Sequence, residues 1–413
     1  MSGNLSKGTL QTFAVLCLRL VSQAATLILA TRLLGPHSYG SYAAVASLAV
    51  LLGVLPNLGT GYLMLADTSN RHTAGSNIWR FAWPSSIATG LLLLVVFVPL
   101  AHLVDTSDRL STGILVAMGI TELLVMPMIY LASFALQANE RVPLGQLLQW
   151  LPLGLRTLAA IPCFFIDEDL RLPLFVVLQA LLCTMAMAVA LLATQRCVAP
   201  VWRPRLIGLD NLKKSAPYAL MHFVAMNPSE LDKVMVLRFV GATDAGIYAA
   251  ASRVMGALVT PVLALLLTAQ PRLFQHAGQP SSETRRLIIT IAALATAWGA
   301  CTSVILLLAR PFLPWLFGET YQTMNDLMTL LALACPLMAL RMSSGTVLVA
   351  LGRPSQRILL EVLGIACLIG AMALLAPRLG LEGVVWSVIL SELAMLSCGW
   401  LSILRRLLAR SIT

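Results

Sequence analysis

Arg32-Leu33-Leu34-Gly35-Pro36-His37-Ser38-Tyr39-Gly40-Ser41-Tyr42-Ala43-Ala44 returns later in the chain as Arg238-Phe239-Val240-Gly241-Ala242-Thr243-Asp244-Ala245-Gly246-Ile247-Tyr248-Ala249-Ala250. Both copies hold Arg, then Gly three residues on, Gly again eight residues after the Arg, and Tyr-Ala-Ala starting ten residues after it. The offset is 206 residues in a chain of 413, and Lys7 and Lys213 keep the same offset. A repeat placed at half the chain length means one half built twice. In each copy the first glycine falls between two apolar runs, so the block reads as a hairpin joining two helices.

Outward from the hairpins the chain stays apolar. It is 58% hydrophobic and 11% charged, with a mean hydropathy of +0.85. Soluble domains carry about 25% charged residues. Twelve stretches approach the roughly 20 residues that cross a bilayer as a helix: 10–31, 39–66, 79–103, 111–137, 143–166, 172–195, 215–240, 242–270, 286–309, 323–350, 356–376 and 381–404. The first lacks a convincing small-residue cleavage site and reads as a retained helix. The pattern predicts an all-α integral membrane protein with about 12 transmembrane helices. Six per half is an even number, so both halves enter the membrane from the same side and form parallel lobes. The N-terminal lobe is 1–196, a cytoplasmic linker 197–214, and the C-terminal lobe 215–413.

The net charge of +10 does not mark a nucleic-acid partner, because the basic residues are spread over span ends. Arg80, Arg141, Arg196, Arg203, Arg205, Lys213 and Lys214 fall on one side, with Arg285, Arg286, Arg353 and Arg357. Only Arg32, Arg109, Arg171, Arg238, Arg310 and Arg378 fall on the other. By the positive-inside rule both termini are cytoplasmic. Trp79, Trp83 and Trp315 read as interface anchors. The eight cysteines show no metal-ligand spacing and read as thiols of apolar surroundings. No phosphate-binding loop, zinc motif or extramembranous catalytic segment is present, so an enzyme is not expected.

Five basic residues remain at membrane depth: Arg19, Arg156, Lys233, Arg253 and Arg341. Each costs roughly 2.5–3.5 kcal/mol at a helix centre, so they are expected to face a hydrated or protein-lined interior. Four acids accompany them, Glu122, Glu230, Asp232 and Glu392, and Glu361 lies nearer a span end. Mutual neutralisation would give every cation an acidic partner. Glu230 and Lys233 have the i,i+3 spacing for it, and Lys233 also has the length to snorkel to the outer surface. Arg19, Arg156, Arg253 and Arg341 have no acid three or four residues away. They are the candidates for holding an anionic ligand, since guanidinium grips phosphate at two points and stays charged when desolvated. Glu122, Glu230 and Asp232 are the candidates for ion coupling. Asn57, His222 and Asn227 read as interhelical hydrogen-bonding groups.

The repeated Arg-x-x-Gly and Tyr-Gly-x-Tyr-Ala pattern resembles the start of the polysaccharide-biosynthesis flippases of the MOP superfamily. Asp232-Lys233-Val234-Met235-Val236-Leu237, Leu316-Phe317-Gly318-Glu319-Thr320-Tyr321, Val347-Leu348-Val349-Ala350-Leu351-Gly352-Arg353 and Leu379-Gly380-Leu381-Glu382-Gly383 extend the likeness over the chain. The resemblance implies a MATE-like transporter with two lobes around a central cavity. Twelve spans are similar to the Wzx-type O-antigen flippases, which implies an undecaprenyl-diphosphate-linked oligosaccharide moved from the cytoplasmic to the outer leaflet of the bacterial inner membrane. It also implies cationic cavity residues on the first and eighth spans, the spans of Arg19 and Arg253. Asn57 stands where relatives often carry Asp, which weakens any ion-coupling role there. The expectation includes no cofactor beyond a proton or sodium gradient, membrane lipids around a monomer, and a polysaccharide polymerase as a partner. A MATE-like cation or drug antiporter is the alternative, with a membrane polysaccharide polymerase or ligase behind it.

Overall fold

The structure is a computed structural model that describes residues 2–68, 74–105, 110–226, 228–276 and 282–409. Arg109 and Asn227 lie outside these residues, and so do the side chains of Lys7 and His222. Among the described residues the regular structure is all helical, without strands. Among the described residues, nine segments are long and apolar enough to cross a membrane. The segment Cys17–Gly53 holds two helices, and Val142–Cys163 is a further helix of 22 residues. Val142–Cys163 is less apolar because it carries Gln146, Gln149 and Arg156.

The chain divides into two compact units, Met1–Met226 and Asn227–Thr413. The first begins with α1 (Ser2–Gly53), in which two helices meet at Gly35, with φ 66° and ψ 172°. That is backbone which side-chain-bearing residues rarely adopt. No neighbouring atom lies within 4 Å of where a Cβ would stand, so conformation alone calls for glycine there. Beyond α1 come α2 (Thr60–Thr68), α3 (Ala74–Val104) and α4 (Thr112–Ile120). The last continues through a π-helical turn, Thr121–Val125, into α5 (Met126–Ala138). Then follow α6 (Val142–Cys163), α7 (Glu168–Cys197) and α8 (Leu209–Met226).

The core of the first unit gathers Met64 of α2, Trp79 and Phe81 of α3, Ile129, Leu131 and Leu136 of α5, and Cys183 of α7. Trp79 is therefore not an interface anchor: it is 1% exposed. The segment 198–208 covers it. Trp202 stands edge-on to Trp79 at 5.3 Å and tilted to Trp83 at 6.0 Å. Arg205 donates its backbone N–H to the Arg80 carbonyl, and Arg80 Nε donates to the Arg203 carbonyl. Trp315, by contrast, is exposed as an anchor would be. On the far side of α2, α8 packs closely. Tyr62 stacks on Tyr218, and a Cβ on Gly59 would stand 2.3 Å from the Ser215 carbonyl oxygen.

The second unit comprises α9 (Pro228–Phe239), α10 (Ala242–His276), α11 (Ser282–Ala309), the short α12 (Leu313–Phe317), α13 (Met324–Ala350), α14 (Pro354–Leu379) and α15 (Leu381–Ala409). Gly241 has φ 117° between α9 and α10, the position Gly35 holds in the first copy. Both copies of the repeated block thus turn at their first glycine. Leu92 and Val95 of α3, Leu181 and Met185 of α7, Leu308 of α11 and Leu374 of α14 are all exposed. Such faces are costly in water and cost nothing against hydrocarbon. The protein is a multi-pass membrane protein.

Candidate functional site

A cavity of about 380 Å³ opens within the first unit. Arg19 and Gly53 of α1 line it, with Asn57, Tyr62 of α2, Glu122 of the π turn, Tyr130 and Phe134 of α5, Gln149 and Arg156 of α6, and Ala219 of α8. Its polar side chains come from helices fixed to each other by hydrogen bonds. Trp150 Nε1 donates to Ser22 Oγ at 2.9 Å, and Thr26 and Thr157 share a hydrogen bond of 2.6 Å. These links clamp α1 to α6 one turn from Arg19 and directly beside Arg156. Gln149 Nε2 donates to Ser133 Oγ, tying α6 to α5 as well.

The π turn places Glu122. One extra residue in a helical turn shifts the face that follows it and leaves backbone groups free to reach neighbours. Here the carbonyls of Glu122 and Leu123 press on two glycines. A Cβ at Gly53 would stand 2.7 Å from the Glu122 oxygen, and one at Gly90 would stand 2.3 Å from the Leu123 oxygen. Backbone packed that closely holds the bulge in place. Glu122 then forms an ion pair with Arg156 Nη2. The Glu122 side chain is 9% and the Arg156 side chain 19% exposed. Arg156 Nε is buried with no hydrogen-bond partner.

Arg19 makes no ion pair or hydrogen bond among the described residues. It faces the same cavity, and Tyr130 lies in electrostatic reach of Arg19, Glu122 and Arg156. Two guanidiniums and one carboxylate line the cavity, a formal charge of about +1 from these groups. Asn57 is fully engaged: its Nδ2 donates to the Pro127 carbonyl at 3.1 Å, and its Oδ1 accepts from Ser86 Oγ at 3.0 Å. That is the interhelical bonding expected of it.

The other sequence candidates lie in the second unit. Arg341 of α13 donates through Nε to Glu392 of α15 at 2.6 Å, and through Nη1 to Glu361 of α14 at 3.1 Å. Lys233 of α9 is buried and does not snorkel outward. Its Nζ lies 3.4 Å from Asp232 and 3.6 Å from Glu230. Tyr248 donates to the second Asp232 oxygen at 2.6 Å. Arg253 is exposed on α10. Arg156 and Arg341 thus find their acids on other helices. A search confined to i±3 and i±4 sees only one helix and misses such partners. Gln149 and Tyr130 were not singled out from sequence, since neutral polar residues in a span carry no charge signal.

The profile of the polysaccharide biosynthesis protein family matches residues 5–276. No curated protein sequence matches the chain. Among solved structures it is similar to a multidrug resistance MATE family transporter of the MOP superfamily in an inward-facing conformation, with a TM-score of 0.78 at 15% identity, covering 96% of each chain. It is similar to the MATE multidrug transporter DinF-BH, with a TM-score of 0.67 at 16% identity, covering 97% of this chain and 95% of that one. A MATE transporter of Vibrio cholerae matches with a TM-score of 0.64 at 15% identity over 98% of both chains. The all-α fold expected from the repeat and the twelve stretches is the fold of these proteins.

Proposed function

The chain belongs to the polysaccharide biosynthesis protein family, and from that premise we propose that it is a flippase for an undecaprenyl-diphosphate-linked oligosaccharide, such as an O-antigen unit. It moves this substrate from the cytoplasmic to the outer leaflet of a bacterial inner membrane, with both termini cytoplasmic. One observation carries the reading: Arg19, free of acidic partners among the described residues, faces a cavity it shares with Arg156. An unneutralised guanidinium at membrane depth is costly, and a diphosphate offsets that cost with charge-assisted, two-point hydrogen bonds. The sugars occupy the polar lining and the polyprenyl tail stays in lipid. Alternation follows when the ligand binds the inward- and outward-open states with different free energies. Arg253 is the second proposed anchor, while Glu122, Glu230 and Asp232 remain proposed routes for a proton or sodium gradient.

The MATE neighbours raise the cation-antiporter alternative, and the cavity's tyrosines and Phe134 would suit an organic cation. Such a cargo needs an unpaired carboxylate, and the cavity's Glu122 is already neutralised by Arg156. The test is export of surface polysaccharide in cells carrying Arg19→Gln, Arg19→Glu or Arg253→Glu at normal expression. Export should fall at least tenfold in Arg19→Glu and less in Arg19→Gln, with lipid-linked oligosaccharide accumulating on the cytoplasmic leaflet. Unchanged export in both glutamate variants overturns the anion-binding reading.

A further inference from the structure

We propose that Glu122 is a built-in stand-in for the substrate's phosphate. In the empty cavity its carboxylate occupies the face of Arg156 that a diphosphate oxygen takes when the lipid-linked sugar binds. This inference rests on the flippase reading and adds how the site is kept when empty and how its cargo is released.

Three features lead to it. First, the Arg156–Glu122 pair lines the cavity and is not sealed in the core, so an entering anion reaches both partners. Second, the pair leaves Arg156 incompletely bonded, with Nε buried and without an acceptor. Guanidinium presents five N–H donors in a fixed fork, and a single carboxylate oxygen at Nη2 satisfies few of them. A diphosphate, with more oxygens and more charge, bridges Arg156 and Arg19 where Glu122 engages Arg156 alone. Third, Glu122 stands on a π turn held by close contacts at Gly53 and Gly90. Extra backbone of this kind is a local irregularity often found at functional sites, and it gives the carboxylate a mounting distinct from the regular helix on either side.

The groups facing Glu122 are Arg156 of α6, Tyr130 of α5 and Cys183 of α7, with Arg19 of α1 lining the same cavity. Arg156 is the cation that Glu122 pairs with in the empty cavity, and a phosphate takes that cation from it on binding. The carboxylate that yields to cargo on entry competes with it on exit. A site that held diphosphate without competition would release it slowly, because stronger binding chiefly lowers the off-rate.

The experiment uses purified full-length protein in nanodiscs with farnesyl diphosphate as probe, measured by titration calorimetry. Wild type, Glu122→Gln, Arg156→Gln and Arg19→Gln are compared under the same conditions. Glu122→Gln should bind the probe about tenfold tighter than wild type, corresponding to roughly 1.4 kcal/mol. Arg156→Gln and Arg19→Gln should bind at least tenfold more weakly. Should wild type bind and Glu122→Gln bind equally or more weakly, the stand-in role is overturned and the flippase reading survives. Should none of the four proteins bind, including wild type, the flippase reading falls and this inference falls with it. Thermal unfolding of each variant separates lost binding from lost folding.

Discussion

Tyr42 and Tyr248 occupy the same place in the repeated block, and both are buried, yet they serve different partners. Tyr42 donates to the neutral Gln179 at 2.7 Å, whereas Tyr248 donates to the Asp232 carboxylate at 2.6 Å. A hydrogen bond to a charged group contributes about 1.5–3 kcal/mol, against about 1 kcal/mol for a neutral one. Tyr248→Phe should therefore lower the thermal midpoint of the purified protein more than Tyr42→Phe, and equal shifts would contradict the assignment. Arg341 lets the same logic be read as a network. Removing one member of a buried ion cluster costs about 3–5 kcal/mol, because the remaining charges lose their counter-ion. Arg341→Met should be severely destabilised, and adding Glu361→Gln and Glu392→Gln should restore a good part of the loss; a triple variant no better than the single one would sink the network account. At this scale the sequence revealed which residues were ionisable at depth, since a charge in an apolar run is conspicuous. It did not reveal their partners. Glu122 and Arg156 are 34 residues apart, and only packing decides that such a pair meets.

Helices were legible from apolar run length, and their breaks from glycine. Both copies of the block turn at glycines with positive φ, Gly35 and Gly241. Gly35→Ala should cost about 1–3 kcal/mol of stability from backbone strain alone, with no clash to relieve, as thermal unfolding in detergent would record. The π turn was not legible, because an inserted residue leaves the apolar count of 111–137 unchanged. Its consequence can be tested by deleting Leu124. Removing the extra residue turns the π turn back into a regular α turn and takes away the bulge that carries Glu122. The deletion should separate Glu122 from Arg156 and abolish transport. Gly53→Ala and Gly90→Ala strain the same turn by a different route, since backbone would have to move off the new methyl. Export lost in both, with expression retained, would tie function to the bulge; export retained in both would detach it.

For the molecule as a whole, the halving was visible in a 206-residue offset and the membrane setting in composition. The fold followed from those two facts together. Compactness was a different matter, because the unit boundary at Met226 and Asn227 falls inside the apolar stretch 215–240. Apolar run length carries no information about which neighbour a helix packs against, and α8 packs on α2 through Tyr218 and Gly59. Reporter fusions offer the matching test of orientation: an enzyme active only in the cytoplasm should report activity when fused after Thr413 and when inserted at 201–206. Activity at one site only would refute the proposed topology.

The pinned segment around Trp202 also has a consequence for cutting and rejoining this chain. Residues 198–208 leave α7 and lead into α8, both within the first unit, so a nick there severs a loop whose two ends are each held by packing. Two polypeptides split near 206, made together, should reassemble like a dissected protein with its interface intact. A split at 226 would instead leave each piece as a whole compact unit. The chain thus offers two sites for dissection, and the one that looks like a natural linker in composition divides a unit, while the one hidden in an apolar run divides the units from each other.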